Sequence, residues 1–227
     1  MAQACHGEPH ALVTLGGAAR GISEPWKDLL EYLRNSDRSV IRNRMAGDPR
    51  WEMLRPIEIS VQMLPEPQRQ RYLDLAVFPR GALLPEETIL TFWKAQGLYG
   101  FPAREAIRDM VDRSLLLRSA EGRLYLHDHN VDYLQAMADD LPALHAKLLD
   151  AYASRCPDGW ASGPNDGYFF QQLGYHLDSA GRPAEWRALL LDYRWLQAKL
   201  DATDIIALLT DYEQYLAGGL TDRAAAG

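Results

Sequence analysis

Apolar side chains recur at i, i+3 and i+4 along most of this chain, and a period near 3.6 confines it to a mainly helical architecture. Pro9 suits a first turn, with Leu12, Leu15, Ala18 and Ala19 following on one face. Ser23 can cap a second helix that opens at Glu24-Pro25, carries Trp26, Leu29, Leu30 and Leu33 on one stripe and ends at Asn35-Ser36. After a loop at Asp48-Pro49, Ile57, Val61 and Leu64 share a face until Pro65 and Pro67 stop the segment. A further helix is predicted from about Gln68 to Phe78, closed by Pro79.

The helical texture breaks once. Pro85-Glu86-Glu87 opens a helix containing Ile89, Leu90 and Trp93, which Gly97 and Gly100 end. Pro102 opens another that turns Ala106, Ile107, Met110 and Val111 inward. Leu115 to Arg118 and Arg123 to Leu126 then flank the turn Ala120-Glu121-Gly122, which reads as a β-hairpin. Helix, turn, helix and hairpin in that order is a winged-helix arrangement.

Beyond Asn130 the helical pattern returns, in Val131, Leu134 and Met137 and then Leu141 to Tyr152. A loop rich in Pro, Gly, Asp and Ser runs from Cys156 to Asp166. Four more helices follow, at Tyr168 to Leu177, Pro183 to Leu190, Trp195 to Leu200 and Ile205 to Leu216, and the aromatic residues Tyr168, Phe169, Phe170, Trp186 and Trp195 have the spacing of a core. The expected fold is therefore mainly α. It comprises a helical segment at 1–65, a winged-helix domain with a small β-hairpin at 66–136, an α-helical bundle or solenoid-like domain at 137–217, and a frayed tail at 218–227.

Composition narrows the function classes. A length of 227 residues with 47% hydrophobic and 24% charged side chains is that of a globular protein with room for one to three domains. The net charge is −7, and it is unevenly spread. Residues 1–65 carry eight basic and eight acidic groups, 66–136 nine and ten, and 137–227 seven and thirteen. No general phosphate-seeking surface results, which argues against nucleic acid as a partner. A winged helix could still bind DNA, but the candidate recognition helix from Ala103 to Arg113 balances Arg104, Arg108 and Arg113 against Glu105, Asp109 and Asp112. Cys5 and Cys156 are far apart and lack the CxxC spacing of a structural zinc site. With no basic signal-peptide start and no apolar window long enough to span a bilayer, a cytoplasmic location without a membrane partner is expected.

No GxxxxGK[ST] loop, GxSxG elbow or HExxH pair occurs, so no complete catalytic or metal site is predicted and the chain is not expected to be an enzyme. The conspicuous polar group is His127-Asp128-His129, where the hairpin ends and a helix starts. One reading makes Asp128 or Asn130 the helix cap and the histidines packing or surface residues. A metal reading, including a metal-dependent phosphohydrolase, needs further ligands, and His6, His10, His145 and His176 show no supporting spacing. In the third reading an imidazole at this corner offers a ring N–H to the phosphate of a nucleotide.

An ordered set of short motifs bears on these alternatives. Gly7-x-Pro9-x-Ala11-Leu12 is followed by Ile59-Ser60-Val61, then Asp74-Leu75-Ala76-Val77-Phe78-Pro79, Phe92-Trp93, Ser114-Leu115-Leu116, and Leu126-His127-Asp128 before Val131-Asp132-Tyr133-Leu134. The set resembles the back half of an NB-ARC module of the signal-transduction ATPases. It is most similar to the apoptotic protease-activating factor branch, whose second helical domain Leu141 to Leu216 resembles. The resemblance implies a nucleotide-controlled switch. Gly7 and Pro9 would open a helix of the first helical domain, with Pro9 on the adenine, and His127 would contact the β-phosphate of ADP and hold a closed form. Leu126 stands where the family has methionine, a volume-conserving change, and Asp128 would orient the corner and cap the helix. His10 takes a position that is usually leucine. ADP, or ATP with Mg²⁺, would be held by an upstream P-loop domain. That domain, a downstream WD-repeat sensor and a homo-oligomer in the active state are the implied partners, and in isolation no cofactor is expected.

Overall fold

A computed structural model describes residues 9–19 and 40–225. Gly7 and the helix expected between Glu24 and Asn35 lie outside the described residues. The described residues form a mainly α fold with one small antiparallel hairpin. In order come α1 (Pro9–Ala18), α2 (Val40–Arg44), α3 (Trp51–Gln62), α4 (Glu66–Leu73), α5 (Glu86–Lys94) and α6 (Phe101–Asp112). The hairpin follows as β1 (Leu117–Arg118) and β2 (Leu124–Tyr125), then α7 (Asp128–Met137), α8 (Leu141–Ala153), α9 (Phe169–Ser179), α10 (Pro183–Leu190), α11 (Tyr193–Ala202) and α12 (Ile205–Ala225).

Prolines open these helices more than they close them. Pro67, Pro102 and Pro142 lie in the first turns of α4, α6 and α8, and Pro183 begins α10, all positions where the missing N–H costs nothing. The segment expected as one helix from Gln68 to Phe78 instead starts at Glu66 and tightens into a 3-10 turn over Asp74–Val77. Pro79 explains the ending, because the residue before a proline is driven out of the helical region and Phe78 is extended at φ −82°, ψ 130°. The last helix, α12, extends to Ala225.

The described residues pack as two units, one within 1–83 and 98–139, the other within 84–97 and 140–227. In the first unit Ala11, Leu15 and Ala19 of α1 pack against Ile59 of α3. Gly17 lets α1 approach closely, since a Cβ there would lie 2.7 Å from the Arg113 backbone. Glu58, fully buried on α3, accepts from the N–H groups of Val40 and Ile41 at 2.7 and 3.0 Å and so satisfies the orphan donors that start α2. Leu117 pairs with Tyr125 and Arg118 with Leu124, and Gly122 supplies the positive φ of the turn.

In the second unit α5 packs on α8, so the helix expected to begin the winged-helix segment groups by contact with the residues after 139. Its core holds Tyr168, Phe169, Phe170, Trp186 and Trp195, all buried, as their spacing predicts. Gly174 makes room for the Trp186 indole, which would sit 2.7 Å from a Cβ at that position.

Candidate functional site

Two segments far apart in sequence meet at the corner between β2 and α7. Leu126 is buried and anchors the strand end, while His127 is extended at φ −66°, ψ 148° and acts as the N-cap of α7. Its Nδ1 accepts from the backbone N–H of His129 at 3.2 Å. A nitrogen that accepts has no proton, so the neutral ring carries its proton on Nε2. Asp128, expected to cap this helix, is instead its exposed first residue, and its carbonyl accepts from Arg80 at 3.2 Å. The cap passes to His127 because its Nδ1 reaches the second amide of the helix, whereas Asp128 already has helical backbone.

Opposite the corner stands the first turn of α1. Pro9 is exposed there, and the His10 ring lies flat on that of His127, with centroids 3.8 Å apart and planes 7° from parallel. His10 Nε2 is 2.9 Å from Asn130 Oδ1 across 120 residues of sequence. Asn130 is fully buried and donates its Nδ2 to the Leu115 carbonyl at 2.7 Å, a carbonyl that the Tyr72 hydroxyl also reaches at 3.4 Å. Thr14, one turn along α1, donates to the His10 carbonyl at 2.9 Å, and Ser60 of α3 donates to the Thr14 carbonyl at 3.1 Å. The site thus rests on α1, α3, the end of α6 and the start of α7, all in the first unit.

The charged surroundings lie on the far side of His129. Its ring is 5.1 Å from that of His127, and its Nδ1 is 3.9 Å from an Asp132 oxygen. Asp132 is held by Arg80. A cavity of about 210 Å³ opens beside this pair, with Met53, Leu54 and Ala136 supplying apolar walls and Arg50, His129 and Asp132 polar ones. Among the described residues no group of three His, Cys, Asp or Glu side chains is arranged to hold a metal ion. Parallel rings 3.8 Å apart direct their nitrogens side by side and do not converge on one ion.

Pro9 and His127 therefore lie on segments that the fold brings together, with Leu126 and Asp128 at the same corner. Sequence reasoning missed His10 and Asn130 as site residues. The available signal was a histidine in a place where the similar family usually has leucine, together with an asparagine on the inner face of α7. It also missed a buried polar chain in the second unit. His145 Nδ1 is 2.8 Å from His176 Nδ1, and His176 Nε2 is 2.8 Å from the Tyr168 hydroxyl. Burial pushes the His145 imidazole down to about 4 and lowers His176 in the same direction.

Comparison with known proteins agrees with the motif order. Residues 141–224 match the family described as APAF-1 helical domain. The chain is 28% identical over 218 residues to apoptotic protease-activating factor 1 of Rattus norvegicus, 26% over 218 to that of Homo sapiens and 26% over 220 to that of Danio rerio. In each case 93% of this chain is covered but only 17% of the relative, so the chain spans about a sixth of the length of these proteins. The chain is thus apoptotic protease-activating factor-like, similar to the C-terminal region of an NB-ARC module leading into an APAF-1-type helical domain.

Proposed function

We propose that this chain is the regulatory and interaction part of a nucleotide-controlled signalling switch. In this reading it closes over ADP held by an upstream P-loop domain and carries no catalytic site of its own. The observation that supports it most is the stacking of His10 on His127, because it sets the α1 start bearing Pro9 against the corner bearing His127. These are the two segments that a nucleotide would have to bridge, one at its base and one at its β-phosphate. The donor chemistry fits: with Nδ1 accepting from His129, the His127 proton sits on Nε2, and a ring N–H suits a phosphate oxygen. Bound ADP supplies a negative charge there that the chain's own residues can hold. Gly7 belongs with Pro9 and His127 to the proposed nucleotide contacts.

Function divides along the chain in the proposal. Residues 1–65 act as the end of a first helical domain, 66–136 as a winged-helix domain and 137–217 as the second helical domain. Exchange of ADP for ATP with Mg²⁺ would remove the contact at His127 and free surfaces for a homo-oligomer, a population shift driven by differential contacts. A downstream WD-repeat sensor and a cytoplasmic setting complete the proposal. For its part, no helix among the described residues is long and apolar enough to cross a membrane.

Calorimetry tests the reading. The 227-residue chain alone should bind ADP and ATP negligibly, and submicromolar binding without a P-loop domain would overturn the proposal. Joined to such a domain, His127→Ala should speed ADP release about tenfold, the worth of one hydrogen bond to a charged group. It should also promote self-association on size-exclusion chromatography.

A further inference from the structure

In the second unit α9 and α12 approach at one end and part at the other. A Cβ on Gly218 would lie 4.0 Å from Asp178 Oδ1, whereas nearer the start of α12 the two helices leave a cleft of about 310 Å³. The α9 wall consists of Gln171, Gln172 and Tyr175, and α12 contributes Ala207, Asp211 and Gln214, which share a helical face at i, i+4 and i+7. Polar and small side chains bury little apolar surface by closing on one another, so the groove stays open.

The lining accepts hydrogen bonds more than it donates them. Asp211 is 3% exposed; one of its oxygens holds the Lys199 ammonium, and the other has no hydrogen-bond partner among the described residues. Asp204 lines the cleft as well. Its Oδ1 caps α12 by accepting from the Ala207 N–H at 2.8 Å, which leaves Oδ2 for a ligand. The side-chain amides of Gln171, Gln172 and Gln214 make no hydrogen bond among the described residues, so their carbonyl oxygens are acceptors too. Lys199 is drawn to both Asp211 and Asp204 and offsets one carboxylate, so one negative charge remains. No Lys or Arg is among the residues that line the cleft. An almost fully buried carboxylate with an unused oxygen carries a desolvation cost, which a donor entering the cleft would offset.

We propose that this cleft receives one arginine side chain of a protein partner, its guanidinium bonding to Asp211 and Asp204 and lying against the Tyr175 ring. A single positive charge neutralises the lining. The planar guanidinium carries five donors where an ammonium carries three, and it is more weakly hydrated. It therefore suits several acceptors spread over two helices beside an aromatic wall. Ile206 stands on the rim at 70% exposure, where the methylene stem of the arginine covers it. Pockets for small organic ligands are mostly apolar, whereas this groove is largely polar and open to solvent, which fits a side chain whose backbone stays outside. The proposal is independent of the nucleotide reading.

The test uses the 15N-labelled 227-residue chain and the peptide acetyl-Gly-Arg-Gly-amide. The side-chain amide signals of Gln171, Gln172 and Gln214 should shift together and saturate with a Kd on the order of 1 mM. The same peptide with citrulline, which keeps the shape and loses the charge, should bind about tenfold more weakly, the worth of a charge-assisted bond. Asp204→Asn should weaken binding of the arginine peptide to the same degree, because asparagine still caps α12 but has no charge. Ala207→Leu, which fills the cleft and leaves every charge in place, should abolish the shifts. Absence of a saturating shift, equal binding of the citrulline peptide, or full binding by Ala207→Leu overturns the proposal. Spermidine or the lysine peptide binding as tightly as the arginine peptide would put any cation in place of the guanidinium. Argininamide binding more tightly than the peptide would put a small molecule in place of a protein partner, and either result overturns the proposal too. Thermal midpoints show whether the variants fold; if Asp204→Asn does not, the citrulline comparison on the parent chain still decides.

Discussion

Asn130 joins three elements with a single amide, and its orientation follows from which atom faces which. Its nitrogen faces a carbonyl and its oxygen faces His10, so the two ends are not interchangeable. Asn130→Ala should cost about 1 to 3 kcal/mol, because His10 and Leu115 each lose a buried partner while the Tyr72 hydroxyl remains near the Leu115 oxygen. Asn130→Asp should cost more, since it sets a carboxylate oxygen against the Leu115 carbonyl inside the protein. Urea unfolding midpoints rank the two, and equal midpoints would show that the amide orientation carries no energy. At this scale Pro9 and His127 were legible in the sequence because their chemistry and motif positions stand out singly. Their meeting was not, because a contact across 120 residues leaves no trace in local periodicity. The capping role of His127 was hidden for a related reason. Asp is the more familiar capping residue, and only the backbone shows that α7 begins one residue too early for Asp128 to serve.

Helix ends carry the predictions at the scale of elements. The C-terminus of α6 closes with the Ser114 N–H on the Val111 carbonyl at 3.0 Å and the Leu115 N–H on the Met110 carbonyl at 2.9 Å, the bonding of a Schellman motif. That motif needs a left-handed residue, and Ser114 supplies it at φ 58° although it has a Cβ. Ser114→Gly should therefore stabilise the protein by roughly 1 kcal/mol, and a lower thermal midpoint would contradict the strain. The opposite holds where α1 crosses the end of α6. Gly17→Ala drives a methyl into the Arg113 backbone, which cannot yield as a flexible side chain would, and should cost about 1 to 3 kcal/mol by overpacking. The helices themselves were readable from proline placement and apolar spacing. What the pattern did not reveal was the 3-10 turn before Pro79 and the grouping of α5 with the second unit. The first depends on a one-residue steric effect, and the second on which of two partners buries an apolar stripe that is the same in either case.

On the scale of the whole molecule, the acidic excess of residues 137–227 is not all surface. Asp211 is buried against Lys199, which is itself fully buried, and Asp166 accepts the backbone N–H groups of Tyr168 and Phe169, both at 2.9 Å. Burial lowers the Lys199 ammonium and raises the Asp211 carboxyl, each opposed by its partner. Lys199→Met should then cost about 3 to 5 kcal/mol by stranding a carboxylate, whereas Lys199→Met with Asp211→Leu should recover most of the loss. A double variant as unstable as the single would show that the packing, not the charge, is at fault. The histidine chain sets the second unit's response to acid. If the His145 Nδ1–H donates to His176 and the His176 Nε2–H to Tyr168, both rings are neutral and every shared proton has an acceptor. His145 Nε2 is buried without a hydrogen-bond partner among the described residues, so a second proton there would be an uncompensated charge. In the folded state His145 titrates near 4, against 6.5 for an ordinary histidine. Below pH 6.5 the unfolded chain takes up a proton that the folded chain refuses, so stability is level above that pH and falls as the pH drops toward 4. The loss from His145 alone reaches roughly 3 kcal/mol, and His176 adds to it with the same sign. Thermal midpoints measured from pH 7.5 to pH 4 should trace this decline, and His145→Gln, which keeps a polar partner for His176 but cannot titrate, should flatten it. An identical slope in the variant would place the acid sensitivity elsewhere.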